Sequence, residues 1–137
     1  MTLYTILLRA SGLSQREAAA FHAVRLDTIK SWCIGRRQAS DGVIAEISTL
    51  ICRQVEAAEQ AEDTIGDGDL SGGVVELGLA ADDVEAQSLG WPTVTAQAAA
   101  LGLIAARVVD AGGKVEIVPR GSTVASAAAA DAHDQIL

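Results

Sequence analysis

The fold of this chain is decided by residues 13–40, which read LSQREAAAFHAVRLDTIKSWCIGRRQAS. Ser14 is followed three residues later by Glu17, and this S-x-x-E spacing is typical of a capping box at the start of a helix. Apolar residues follow at Ala18 and Ala19. The pattern predicts a short helix that ends at a tight turn near residues 22–23.

A second short helix is predicted from about residue 26 to residue 34 of the same stretch. Ile29 and Trp32 are spaced i, i+3, as expected for the buried side of a helix, and Gly35 suits the position just after a helix end. Two short helices joined by a tight turn have the layout of a helix-turn-helix, whose second helix enters the major groove of DNA.

Residues 13–37 resemble the Xre-like family of phage-repressor helix-turn-helix proteins, whose pattern is LSQ-x-E-x-A-x-x-x-G-V-S-x-x-T-I-x-x-W-E-x-G-x-R. The matching positions, without a gap, are Leu13, Ser14, Gln15, Glu17, Ala19, Val24, Thr28, Ile29, Trp32, Gly35 and Arg37. The chain departs at Ala23, where the family prefers glycine, at Arg25, where it prefers serine, and at Cys33, where it usually has glutamate. The resemblance implies a lambda-repressor-like helical bundle that binds double-stranded DNA.

The net charge of −8 is distributed unevenly along the chain. Residues 1–62 hold seven basic and seven acidic residues, whereas residues 63–137 hold three basic and eleven acidic ones, which accounts for the whole −8. Between Arg9 and Arg37 there are six basic residues and two acidic ones. This asymmetry is what a DNA-facing end and a partner-facing end would produce.

Helices are also predicted on both sides of the opening stretch. A helix over residues 2–10 is expected to cover the core with one face, made by Leu3, Ile6, Leu7 and Ala10. A long helix is expected over residues 41–61, and its apolar stripe at 3–4 spacing includes Val55.

The second half alternates helices with two short strands. The expected elements are a strand over residues 74–79, a short helix over 81–89, a long helix over 93–111 and a strand over 114–118.

Together the helices and strands expected along the whole chain predict a mainly α protein. A helix-turn-helix bundle with its connecting helix occupies residues 1–62, a glycine-rich acidic linker 63–73, a small α+β dimerisation domain 74–120 and an alanine-rich tail 121–137. Because two short strands are marginal in water, we expect strand pairing across the twofold axis of a homodimer.

The order of these elements resembles a narrower family, the anti-CRISPR-associated phage repressors. The resemblance rests on the short helix-turn-helix, the long connecting helix, the Gly90-Trp91 pair that leads into a helix, and the final strand. It implies a dimeric autorepressor of a phage or mobile-element operon, in which the C-terminal part dimerises.

The outer side of the second helix of the motif, near its start, is expected to read bases. The base-reading residues predicted there are Arg25, Leu26, Asp27, Lys30 and Ser31. Two alternatives stay open: Arg25 and Lys30 are ordinary surface charges, or Asp27 caps the helix start, where Arg25 offers no capping oxygen. Phosphate contacts are assigned to Gln15, Thr28, Arg36 and Arg37.

No pattern indicates an enzyme, a cofactor or a metal site. Cys33 and Cys52 lack metal-ligand or redox spacing and are expected to be reduced thiols, and His22 is expected to be a partly buried, satisfied histidine. Neither a signal peptide nor a membrane span is expected, so a cytoplasmic protein is predicted. Two further interpretations remain open: the antitoxin of a toxin–antitoxin pair, and a regulator that also binds its own mRNA.

Overall fold

The computed structural model describes residues 1–65 and 73–120 and shows a mainly helical protein with one two-stranded parallel sheet. The elements of these two ranges, in chain order, are α1 (Leu3–Ser11), α2 (Gln15–His22), α3 (Leu26–Ile34), α4 (Asp41–Ile65), β1 (Val74–Leu79), α5 (Asp83–Ser88), α6 (Val94–Asp110) and β2 (Lys114–Pro119). The prediction of a mainly α chain is confirmed. The predicted tail and most of the predicted linker lie outside the described residues.

Local capping signals explain where the helices begin. The Ser14 hydroxyl accepts a hydrogen bond from the Glu17 backbone N–H at 3.1 Å, and the Glu17 carboxylate accepts one from the Ser14 N–H at 2.8 Å. Thr93 caps α6 in the same way, since its hydroxyl accepts from the Ala96 N–H at 3.0 Å. Each of these bonds satisfies a backbone donor that a helix start leaves without a partner.

The first hydrophobic core joins α1 to α4 and also receives a residue from α6. Its buried members are Tyr4, Leu8, Leu13, Ala18, Ala19, Ile29, Trp32, Ile47, Leu50 and Ala96. Because Ala96 belongs to α6, the second half of the chain packs directly against the N-terminal helices.

The predicted inner face of α1 holds at Leu7, which packs against this core, and is wrong at Leu3, Ile6 and Ala10, which are exposed. The structure buries Tyr4 and Leu8, whereas Leu3 is 60% exposed and Ile6 is 52% exposed. The rotation of α1 is set by hydrogen bonds to the end of α3: the Thr2 hydroxyl donates to the Trp32 carbonyl at 3.0 Å. The Thr5 hydroxyl likewise donates to a carbonyl of the last turn of α3, that of Cys33, at 3.1 Å.

The long helix α4 continues to Ile65, four residues beyond the predicted end. Its buried stripe includes Gln54, which is 1% exposed, in place of the predicted Val55, which is 37% exposed. The Gln54 amide donates to the Ser11 carbonyl at 2.8 Å and to the Ala96 carbonyl at 3.0 Å. A polar side chain therefore holds α1, α4 and α6 together.

The second core lies between α4, α6 and the sheet. Ala58, Ile104 and Val108 are buried there, and Val75, Leu77 and Val115 of the strands pack against them. β1 and β2 run parallel, in a register from Val74↔Lys114 to Leu79↔Pro119, with α5 and α6 as the crossover connection. No helix within residues 1–65 and 73–120 is long and apolar enough to cross a membrane.

Candidate nucleic-acid interface

A three-residue turn positions α3 relative to α2. Ala23 adopts a left-handed conformation with φ 57° and ψ 45°, and its N–H donates to the Ala20 carbonyl. The Val24 N–H donates to the Ala19 carbonyl at 2.9 Å, and Arg25 returns the backbone to an extended conformation before α3 begins. The left-handed geometry explains why glycine is preferred at position 23 in the pattern that the chain resembles.

One side of α3 is buried and the opposite side is open. Ile29 and Trp32 are buried in the core, with exposed fractions of 0% and 8%. On the opposite side lie Asp27, Lys30, Ser31 and Ile34, and Leu26, three residues before Ile29, lies at the border of this side. We call these five residues the α3 outer face. Asp27, Lys30 and Ile34 are exposed, and Leu26 and Ser31 are half-buried.

Four of the five predicted base-reading residues therefore share one surface, and Arg25 joins them from the position just before the helix, where its side chain is exposed. Ile34 was not predicted as part of this surface, although it is 70% exposed. Its spacing of i+4 from Lys30 was the signal that could have identified it.

Two of the predicted phosphate-binding residues, Arg36 and Arg37, directly follow the end of this surface. Gln15 is the first residue of α2 and is half-buried, and Arg36 and Arg37 are exposed just after α3. The backbone N–H groups of Arg36 and Arg37 both donate to the Ser31 carbonyl, which fixes the chain from which these two side chains extend. Thr28 is half-buried and lies outside the α3 outer face.

The exposed Arg16 follows Gln15 in the first turn of α2 and lines a surface pocket together with Asp83 and Gln87 of α5. The six basic residues between Arg9 and Arg37 have no carboxylate partner in residues 1–65 and 73–120, where the ion pairs are His22–Glu46 and Arg107–Glu62. These cations are thus open to an external anion.

The two carboxylates of this region behave differently. The Glu17 carboxylate has hydrogen-bond partners within the chain: its oxygens accept from the Ser14 N–H and from the Thr95 hydroxyl, the latter at 2.9 Å. The Asp27 carboxylate accepts no hydrogen bond from any described residue, and no side chain caps the start of α3, where Arg25 is the N-cap residue. The alternative that Asp27 caps this helix is therefore wrong. Its carboxylate in the first turn still favours the helix electrostatically.

His22 packs against the buried side of α3, opposite the candidate interface. Its side chain is 1% exposed, its Nδ1 lies 2.6 Å from the Glu46 carboxylate, and its ring packs edge-on against Trp32 with centroids 5.9 Å apart. The Nε2 atom is buried without a hydrogen-bond partner among the described residues, so the histidine is satisfied on one side only.

Cys33 and Cys52 are free thiols, one half-buried and one exposed. No group of three or more His, Cys, Asp or Glu side chains within residues 1–65 and 73–120 is arranged to hold a metal ion. Comparison of the chain with protein-family models, with curated proteins and with solved structures found no match.

Proposed function

We propose that this protein is a sequence-specific DNA-binding transcriptional repressor in which α2 and α3 form a helix-turn-helix. The observation that carries the proposal is the α3 outer face, which is open to solvent and flanked by Arg25, Arg36 and Arg37, cations without carboxylate partners in the described ranges. The major groove of B-DNA admits a helix, and cations neutralise the flanking phosphates.

Each residue of the surface has a role that fits its chemistry. Arg25 would donate two hydrogen bonds to O6 and N7 of a guanine, and Asp27 would accept from a cytosine amino group. Leu26 would pack against a thymine methyl group, while Lys30 and Ser31 would contact the base edges that follow along the groove.

Phosphate contacts would fix the register of the protein on the duplex. Arg36 and Arg37 are the strongest candidates, since both are exposed and border the end of α3. Gln15 would contact a phosphate at the start of α2, where backbone N–H groups favour an anion. Thr28 is the weakest candidate, because it lies outside the α3 outer face.

We further propose that the protein acts in the cytoplasm as a homodimer on an inverted repeat. Half-sites would then lie about 10 bp apart, or a multiple of this distance, centre to centre. The resemblance to phage repressors supports autoregulation of a phage or mobile-element operon.

Selection from a randomised pool of double-stranded DNA tests the proposal. We expect the full-length protein to enrich an inverted repeat. Arg25→Ala should weaken binding to that repeat by about 30-fold or more, because the dimer loses two bidentate base contacts worth about 1–3 kcal/mol each. Arg25→Lys is the matched control, because it keeps the charge and loses the fork geometry.

Both Arg25 variants should lose discrimination at the same base pair, and only Arg25→Lys should retain the wild-type affinity for unrelated DNA. A protein that enriches no sequence contradicts the proposal. An RNA stem that carries the selected sequence serves as a competitor and tests whether a transcript is bound instead.

A second candidate function, an antitoxin that also represses its own promoter, is favoured by the exposed carboxylates of the second half. Glu76, Asp82, Asp83, Asp110 and Glu116 are all exposed and would suit a basic toxin. Co-expression with the product of an adjacent small gene tests this function: rescue of growth would favour the antitoxin.

A further inference from the structure

The two-stranded sheet leaves two strand edges open. β1 and β2 pair with each other, and no third strand is present within residues 1–65 and 73–120. One face of the pair packs against α4 and α6, but an open edge presents unpaired N–H and C=O groups to which another strand can add. Val74 and Ile117 on these strands are 55% and 51% exposed, so the sheet is incompletely covered as well.

The charges along the strands distinguish the two edges. On the exposed side of the sheet, Glu76 of β1 lies directly opposite Glu116 of β2 in the parallel register. Like charges in this position destabilise a strand pair. β2 also carries Lys114 on the same side, two residues before Glu116, whereas β1 carries no cation.

We propose that the open edge of β2 pairs in antiparallel fashion with β2 of a second copy of this chain, around a twofold axis at Val115. In this register Val115 faces its own copy, and Lys114 faces Glu116 of the second copy. Twofold symmetry forms this ion pair twice, because an interface of this kind is self-complementary. The product is a four-stranded sheet in the order β1–β2–β2–β1, in which the two β2 strands pair over residues 114–116.

Alternative pairings lack this complementarity. A register with Glu116 on the axis would place two glutamates opposite each other, and pairing through β1 would bring together two copies of an edge whose charged side chain is Glu76. Pro119, which has no N–H, would lie beyond the paired segment in the proposed register. Its missing donor therefore costs nothing, in keeping with the restriction of proline to strand edges and ends.

The pairing also reduces the repulsion between Glu76 and Glu116 within each chain. Glu116 would lie between Glu76 of its own chain and Lys114 of the second copy, so a counter-charge reaches the pair of glutamates. This proposal rests on the homodimer of the proposed function and is independent of DNA recognition.

Charge exchange between positions 114 and 116 tests the register. The mass of the full-length protein in solution, measured by light scattering over a dilution series without DNA, gives the dimer dissociation constant. Lys114→Glu and Glu116→Lys each place like charges opposite each other at two symmetric positions, and each should weaken the dimer by about 10-fold or more. The variant with both substitutions should return to within about threefold of the wild type.

Mixing the two single variants gives a second test. A chain with two glutamates and a chain with two lysines at these positions complement each other, so the mixture should form a heterodimer at concentrations at which neither variant dimerises alone. Asp110→Lys is the matched control: it makes the same charge change at an exposed residue outside the strand and should leave the dimer unchanged.

The melting temperature of the monomer shows whether a variant fails to dimerise because it misfolds or because it has lost the strand pairing. Glu116→Lys places a lysine opposite Glu76 and should raise the melting temperature of the monomer while it weakens the dimer. A monomeric wild type overturns the pairing and the homodimer together. A dimer that is insensitive to both single variants overturns the pairing alone, and failure to enrich a DNA sequence overturns only the DNA-binding proposal.

Discussion

At the residue scale, the turn between α2 and α3 is strained at Ala23. A φ of 57° places the alanine Cβ close to the following carbonyl oxygen, a conformation that costs an L-residue roughly 1–2 kcal/mol and glycine almost nothing. We expect Ala23→Gly to raise the free energy of unfolding by about 0.5–1 kcal/mol, after the larger conformational entropy of glycine in the unfolded chain is subtracted. Chemical denaturation measures the change.

The control for Ala23→Gly is the same substitution three residues earlier. Ala20 is exposed within α2, so Ala20→Gly should lower the free energy of unfolding by about 0.5–1 kcal/mol. Equal destabilisation by both variants would show that the turn is not left-handed at Ala23.

Tyr4 is the single tyrosine of the chain and is buried, and its hydroxyl has no hydrogen-bond partner among the described residues. Burial, and after it electrostatic repulsion from Cys33 and Glu46, raises the pKa of the Tyr4 hydroxyl far above its usual value. In the unfolded chain the hydroxyl ionises near about pH 10, whereas in the folded protein it keeps its proton. The unfolded state then binds fewer protons, so the free energy of unfolding falls as the pH rises above about 10.

Tyr4→Phe should remove this part of the pH dependence. Below about pH 9 the variant should be as stable as the wild type or more stable by up to about 1 kcal/mol, because a buried hydroxyl without a partner is lost. The difference between the two unfolding free energies, measured from pH 8 to pH 11, isolates Tyr4 from the other titrating groups. Tyrosine absorbance of the folded wild type that titrates near pH 10 would contradict the burial of this hydroxyl.

At the scale of elements, the sequence predicts the features that local chemistry determines. The capping box at Ser14, the helix end at Gly35 and the bounds of β1 depend on residues a few positions apart, and the structure has them where they were predicted. The face that α1 buries depends instead on Thr2 and Thr5, whose partners belong to α3. A hydrophobic pattern could not show this, because α1 has apolar residues on both sides.

The prediction that α4 buries Val55 rather than Gln54 was wrong for the same reason. A glutamine is expected at the surface, and its burial follows only from two carbonyl groups that come from α1 and α6. The parallel pairing of β1 with β2 was likewise not predicted, since it depends on how α6 crosses back over the sheet.

The packing of α1 against α6 predicts opposite effects for two glycines. A Cβ at Gly12 would lie 2.6 Å from the Thr95 carbonyl oxygen, and the φ of this residue is 80°. Gly12→Ala should therefore lower the free energy of unfolding by about 2–4 kcal/mol. Gly102 lies within α6 with open space around it, and Gly102→Ala should stabilise the monomer by about 0.5–1 kcal/mol. Thermal unfolding of both variants measures the difference.

Equal tolerance of alanine at the two positions would contradict the close approach of α1 and α6. Loss of stability in Gly102→Ala, confined to concentrations at which the protein is dimeric, would instead show that a second chain covers α6.

At the scale of the whole molecule, most of the positive charge predicted between Arg9 and Arg37 lies on or beside α3, at Arg25, Lys30, Arg36 and Arg37, and the exposed carboxylates of β1, α5 and β2 lie in the second half. Arg16 is an exception, because it lines a surface pocket together with Asp83 of α5. The sequence was sufficient to predict this distribution of exposed charge, because charged side chains are seldom buried without a partner. Ile34 could have been placed on the α3 outer face from its i+4 spacing to Lys30, whereas the exposure of Arg16 depends on how α2 packs.

Salt dependence distinguishes the two classes of contact in the proposed DNA complex. Arg36→Ala combined with Arg37→Ala removes two phosphate contacts from each protomer, so the slope of log affinity against log salt should become shallower by about 3–4 for the dimer. Arg25→Ala should lower the affinity for the selected site and leave the slope nearly unchanged, because a base contact releases few counterions. Fluorescence anisotropy over a salt series measures both quantities. If Arg25→Ala flattened the slope as much as the double variant does, Arg25 would be a phosphate contact, and base recognition would belong to the α3 outer face alone.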